Sequence, residues 1–432
     1  MEKASDITAA LPESETPQPA EGRRNPPLLV LTLLTLVYIV TYASNQIFPL
    51  LMLQISREFH LSDIQIGELT GLVNSAVYGV ACLLVAMAAD RRNRVRLIAF
   101  TTGLFSLMSF ACGSAQGYFS LLISRLCMSA GQAGPNPPSL SLIAENFSGP
   151  SRPLANTVFT SATVIGTVVA YVLIGNISAA HGWRTGFFAM GGMGLLAMLG
   201  VLLFLRDHNR RTPQRLDWSD LRGFPALLRN RCFRWAACAA VLHTILTEST
   251  LQWLPLFLSR SLHMTDSQIA WFLGINYSVL GFGGMMVGGL LGTRLRRRSI
   301  GSPQLLGCII TALVTPAYTL VCLSPDPLVS QAALGFIILI ANSGYGSLLG
   351  YVQDVTPGDA HGRANALLYL LMTLGWGAGT LGIGLISEML SPALGVESLR
   401  YALLPVIWSV GALASLSYFL AARSADAAPR PA

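Results

Sequence analysis

Arg125 and Glu248 are the two charged residues that fall in the middle of long apolar segments. An ionised group at the centre of a membrane helix costs about 2.5 to 3.5 kcal/mol on insertion scales, so such residues face the bundle interior and mark a polar pathway. The plain alternative is a satisfied buried pair that only ties helices together. Arg125, Ser129, Gln132 and Asn136 are spaced so that they align along one helical face. A planar, permanently charged guanidinium on that face suits a carboxylate or phosphate bidentately. Thr244, Glu248 and Gln252 make a matching stripe on a second helix. Glu248 therefore reads either as a proton carrier or as a reversible ion-pair partner of Arg125 that a solute must displace. His243 lies five residues before Glu248 and faces about 140 degrees away from it on an ideal helix, so the two are not paired. Further candidates to line an amphipathic cavity are Tyr38, Tyr42, Asn45, Asn74, Tyr78, Tyr277, Asn342 and Tyr345.

The elements that must position these groups are membrane helices. Hydrophobic residues make up 52% of 432 positions and charged residues only 11%, far below the roughly 25% charge of a soluble domain. Windows long enough to cross the hydrocarbon core fall near 29–53, 65–89, 95–114, 118–141, 154–179, 185–205, 233–258, 267–292, 303–323, 328–352, 364–389 and 398–421, which makes twelve helices. Of 28 Lys and Arg, 23 lie in the termini and even-numbered connections, and four, Arg57, Arg184, Arg260 and Arg400, in the odd-numbered ones. Basic residues stay on the cytoplasmic side of short loops, so both termini are expected there, in a plasma (inner) membrane. The net charge of +7 is largely this bias and does not point to nucleic acid.

The chain also repeats itself. Arg57, His60, Asp63, Gln65 and Gly71 recur 203 positions later as Arg260, His263, Asp266, Gln268 and Gly274, and Asp90-Arg91 falls on Thr293-Arg294. Repeat-built carriers place their substrate site between the halves near mid-membrane. The same offset maps Glu248 onto Asn45.

The expected organisation is a disordered cytoplasmic tail over 1–26, a six-helix bundle over 27–205, a basic linker with an amphipathic helix over 206–232, a second bundle over 233–422 and a tail over 423–432. The linker arginines interleave with Trp218, Leu221, Phe224 and Leu227 and suit a helix lying on a lipid surface. Pro135-Asn136-Pro137-Pro138 must break or kink the fourth helix. Glycines crowd the eighth and eleventh helices, as sliding or close static packing requires. The seven cysteines have no metal-like spacing and read as structural thiols.

Residues 86–96, Ala-Met-Ala-Ala-Asp-Arg-Arg-Asn-Arg-Val-Arg, resemble the helix 2–3 loop signature of the major facilitator superfamily. Asn93 in that loop, and the run from Arg125 through Gly134 followed by Pro135, Pro137 and Pro138, look most like its Spinster branch. The resemblance implies an all-α polytopic protein with twelve transmembrane helices in two pseudo-symmetric six-helix bundles. It also implies an inner gate, with Asp90 docked on the eleventh helix and the clusters Glu145/Arg152 and Asp354/Arg363 joining Arg91 and Arg94 in ion pairs that break in each cycle. Ala86, Asn93 and Thr293 depart from the superfamily pattern, and the branch's helix 4 glutamate and helix 1 Asp-Arg are here Gln132 and Ser44-Asn45. Its proton-coupling residues and lipid substrates therefore do not carry over.

The expectation is a secondary transporter of an organic, anionic or amphipathic small molecule, working by rocker-switch alternating access, with protons coupled through Glu248. Membrane lipids are its surroundings, and no cofactor, metal or nucleic-acid partner is expected of what reads as a monomer. An uncoupled facilitator or exchanger, or a non-transporting sensor, are the alternatives. No Ser-His-Asp, metal-ligand or phosphate-loop spacing suggests an enzyme.

Overall fold

The computed structural model describes residues 25–89, 92–147, 151–207, 224–299, 301–324, 326–356 and 361–426, and among these the chain is helical with no strand. Helix 1 comprises Pro27–Gln46 and Phe48–Phe59, helix 2 Asp63–Thr70 and Leu72–Ala89, helix 3 Arg94–Gly113, helix 4 Tyr118–Gln132 and Asn136–Asn146. Helix 5 runs through Ser151–Val168, Val169–Ile174 and Gly175–His181, and helix 6 is Trp183–Phe204. In the second half, helix 7 runs through Arg231–Thr244, Ile245–Ser249 and Thr250–Ser261, and helix 8 through Asp266–Asn276, Tyr277–Gly281 and Phe282–Arg296. Helix 9 is Ser302–Leu323, helix 10 Pro327–Ala341 and Tyr345–Asp354, helix 11 His361–Leu394 and helix 12 Ser398–Asp426.

Among the described residues eight continuous runs are long and apolar enough to span a membrane, one of which holds both helices 11 and 12. Helices 4 and 10, split by breaks, and helix 7, which carries His243 and Glu248, complete the twelve. The proline run does break helix 4, at Ala133–Pro135, but helix resumes at Asn136 and continues to Asn146. Helix 10 breaks at the corresponding place in its half, at Asn342–Gly344.

The sequence repeat is visible as repeated local structure. Helices 1 and 7 each end on a histidine in the left-handed region, His60 at φ 50° and His263 at φ 53°. Each is followed by a capping box that starts the next helix, Ser62 with Gln65 and Thr265 with Gln268. Two donors at each helix start are thereby satisfied, and the connections between helices 1 and 2 and between 7 and 8 become tight, matching turns.

The apolar core shows how the halves meet. At the odd-connection end one buried cluster runs through both bundles, including Phe48, Leu53 and Ile174 from the first and Leu246, Trp253 and Ile269 from the second. Towards the even-connection end the core divides. One cluster there, with Val30, Val95, Phe159 and Val201, belongs to the first half alone, and another, with Phe233, Leu348, Leu368 and Tyr418, to the second alone.

The linker departs from expectation where it is described. Its described part is helical over Phe224–Arg229, and Leu227 and Phe224 pack into the second half's cluster instead of facing lipid. The protein core competes successfully with the bilayer for those two side chains. Trp218 and Leu221, like the 1–24 tail, Asp90 and Arg91, lie outside the described residues. The seven cysteines are unbonded thiols.

Candidate functional site

Three helices carry a π-turn, and each π-turn carries a polar residue of one cluster. Val169–Ile174 in helix 5 holds Tyr171, Ile245–Ser249 in helix 7 holds Glu248, and Tyr277–Gly281 in helix 8 holds Tyr277. Such single-turn widenings cost hydrogen-bond geometry and recur at functional sites. Glu248 is within electrostatic reach of the phenols of Tyr42, Tyr171, Tyr277 and Tyr318, so helices 1 and 5 of one half and 7, 8 and 9 of the other converge on it. The Tyr171 and Tyr277 rings lie parallel across the interface. Glu248 itself is exposed although it sits mid-helix, and it makes no hydrogen bond or ion pair with a described residue. A carboxylate so placed borders a solvent-reachable space between the halves.

Two members of the expected helix 7 stripe differ in exposure. Thr244 is buried and donates to the Ala240 carbonyl of its own helix, while Glu248 is open.

Arg125 sits apart from that space. It is 2% exposed, stacks over the Phe48 ring at 4.0 Å and donates to Gln132 Oε1 at 3.4 Å, while its Nε has no partner. Gln132 in turn donates to Ser44 at 2.6 Å. The expected bridge from Arg125 to Glu248 is absent from this structure. Ser44 and Phe48, one turn apart on helix 1, supply the hydroxyl that Gln132 reaches and the ring under the guanidinium, so ring and amide enclose the cation on the first half's side. Arg125, Ser129 and Gln132 do share a buried face, with Ser129 Oγ unpartnered, but Asn136 falls beyond the helix break and is half-buried.

Tyr78 is within electrostatic reach of Tyr38, Tyr42 and Tyr369, which extends the tyrosine cluster from helix 1 onto helices 2 and 11. Asn45 is half-buried. Asn74 is buried with its Oδ1 unpartnered, and Asn342 spends its amide on the Ile338 carbonyl of its own helix. The Tyr345 side chain lies outside the described ones. Tyr171 and Tyr318 also belong to the cluster, and the sequence signal for Tyr171 is its place in the middle of helix 5. His243 points away from Glu248, edge-on to Tyr418 at 6.0 Å between centroids.

Three ion pairs between described residues at the even-connection end each lie within one half. Arg94 binds Glu145 and, at 2.7 Å, Asp207, and Arg296 binds Asp354. Arg94 is drawn inward because Asp207 also accepts the backbone N–H at the start of helix 3, so the arginine is anchored to helix 6 and helix 4 of its own bundle. Arg152 is exposed.

The contacts that do cross between halves lie at the opposite end. Arg57 binds Asp266 at 3.3 Å and Arg260 binds Asp63 at 2.9 Å. Gln54 donates to Asp266, Ser267 to Asn176, and Ser387 to Asp63. The repeated residues noted in the sequence are thus the ones that fasten this end.

One fused and one divided end, with an accessible carboxylate between the bundles, define a two-bundle membrane transporter. Residues 34–380 match the family model described as Major Facilitator Superfamily, and the chain belongs to that family. It is 25% identical over 390 residues to an MFS-type efflux pump of Mycolicibacterium smegmatis, covering 90% of this chain and 91% of that one. It is 24% identical over 360 residues to the cis,cis-muconate transport protein of Acinetobacter baylyi, covering 79% and 83%. In fold it is similar to the inward-facing, unoccupied crystal structure of a bacterial homologue of the human lysosomal transporter Spinster, with a TM-score of 0.81 at 22% identity over 94% of this chain and 99% of that one. The chain is therefore a transporter and not an enzyme, and its Spinster-like resemblance holds at the level of fold.

Proposed function

We propose that the protein is a secondary active transporter of an organic anion or amphipathic small molecule, working by alternating access with Glu248 as its proton carrier. The observation that carries this reading is the open, unpaired Glu248 between the halves, ringed by tyrosines of both. Rings with a polar edge suit a solute that is apolar in body and polar at one end. Arg125, buried with no carboxylate beside it among the described residues, is the cation to which an anionic group is drawn when the enclosing Phe48 moves. The names of the efflux pump and the muconate carrier support a small organic cargo. With the basic connections cytoplasmic, the fused end faces outward and the divided end faces the cytoplasm. The gate at the cytoplasmic end is then formed by Arg94, Glu145, Arg152, Asp354 and Arg363, with Asp90 and Arg91, as the halves close.

A second reading, an uncoupled facilitator, is favoured by one observation: Gln132 and Ser44 hydrogen-bond as neutral groups and carry no titratable proton. Flux of a panel of organic acids into proteoliposomes, with and without an imposed pH gradient, separates the two. Gradient-driven accumulation supports coupling, equilibration alone supports the facilitator, and specific binding without flux would sink transport.

A further inference from the structure

The repeat makes the two cross-bundle ion pairs formally equivalent, but their surroundings make them unequal. Arg57 is 59% exposed in its pair with Asp266, and its other hydrogen bond goes to Ser259. Exposed pairs are weakened by water and salt. Asp63 is 7% exposed in its pair with Arg260, and Ser387 of helix 11 donates to the same carboxylate at 2.5 Å. The Asp63 backbone N–H donates in turn to Glu388 at 2.9 Å. Removing one partner of such a buried, supported pair leaves a charge without compensation.

Packing draws the same distinction between the seams. Where helix 2 meets helix 11, backbone atoms come close: a Cβ on Gly384 would lie 2.6 Å from the Asp63 carbonyl, and one on Gly377 2.6 Å from Ser75 Cβ and 2.7 Å from Leu72 Cα. Where helix 5 meets helix 8, a Cβ on Gly274 would lie 2.7 Å from a Val172 side-chain methyl and 3.2 Å from Tyr171 Cβ. The Val172 methyl can rotate out of such a contact; main chain, and a Cβ fixed to it, cannot.

We propose that the fused end opens from one side: the helix 5–8 seam, held by Ser267–Asn176 and flanked by the helix 1–8 pair Arg57–Asp266, parts first, while the helix 2–11 seam, held by Asp63–Ser387 and flanked by the helix 7–2 pair Arg260–Asp63, is the pivot and parts last. The opening is a swing about one seam and not an even rocking of two. It rests on alternating access between the halves but on no particular solute or coupling ion.

The test uses the purified full-length chain in detergent, with Ala270→Cys as reporter for the helix 5–8 seam and Leu381→Cys for the helix 2–11 seam. Both positions are in the closed contact, Ala270 against Gly175 and Leu381 against Gly67 and Gly71. Labelling by a water-soluble maleimide is followed by mass spectrometry of the reporter's peptide. Arg57→Ala is expected to raise the rate at the Ala270→Cys reporter by about two- to fivefold and leave the Leu381→Cys reporter at its parent rate. Arg260→Ala is expected to raise both by more than about tenfold. Ser387→Ala, which alters no charge, raises the Leu381→Cys reporter as well, and the swap Arg57→Asp with Asp266→Arg returns the Ala270→Cys reporter to its parent rate, which separates lock loss from misfolding. Equal rises at both reporters in Arg57→Ala, a rise at the Leu381→Cys reporter alone, or no rise at either would overturn the proposal. Absence of transport in every condition would remove the proposed function and leave these labelling rates as they are.

Discussion

Tyr171 and Tyr277 lie parallel across the two halves, 6.2 Å between ring centroids with 5° between planes. One ring comes from the π-turn of helix 5 and the other from that of helix 8. Two widened turns thus aim one aromatic each at the same place, beside Glu248. An offset aromatic pair contributes about 0.5 to 1.5 kcal/mol beyond its buried area. A solute that slides against these rings would draw on the same surface. Tyr277→Ala is therefore expected to raise the KM for uptake by about two- to tenfold, with Tyr277→Phe nearer the parent. Equal damage from both substitutions would assign the role to the hydroxyl and not the ring.

Glu248→Gln keeps the shape of the side chain and removes its titration. Uptake into proteoliposomes by this variant should lose its response to an imposed pH gradient while solute exchange continues. A gradient response identical to the parent would show that the proton travels elsewhere.

Arg125→Lys retains the charge but cannot reproduce a planar cation stacked on Phe48 while reaching Gln132. The expected outcome is a stability loss of about 1 to 2 kcal/mol, read by thermal unfolding in detergent, together with weaker uptake of anionic solutes. Phe48→Leu should lower stability in the same direction. An Arg125→Lys protein as stable as the parent would mean the stack contributes nothing.

Helix 8 offers a paired test of close packing within the second half. A Cβ on Gly288 would fall 2.0 Å from the Ser343 carbonyl oxygen, whereas one on Gly289 would meet nothing within 4 Å. Gly288→Ala should destabilise by about 1 to 3 kcal/mol, and Gly289→Ala should be neutral or slightly stabilising. Similar melting temperatures for both variants would show that helices 8 and 10 separate readily.

Hydropathy and the arginine bias made the twelve helices legible, because spanning a bilayer demands a long apolar run whatever the tertiary contacts. Glu248 was legible for the same reason. The partner of Arg125 was not, since spacing within each helix does not say which face of helix 1 packs against helix 4. Nor were the π-turns, which add one residue to a turn. The repeat was read correctly as a sign of two halves, but spacing alone could not tell that Arg57 and Asp63 reach each other's counterparts in the second copy and not one another.

That crossed arrangement bears on how such a chain can arise. Position 57 meets the duplicate of position 63, and position 63 meets the duplicate of position 57, which is the reciprocity of an isologous twofold dimer. A single six-helix unit facing an identical sister would already satisfy both its acid and its base. Fusion of two genes then inherits a finished seal and needs to evolve only what differs between the copies: the carboxylate on one side and the guanidinium on the other.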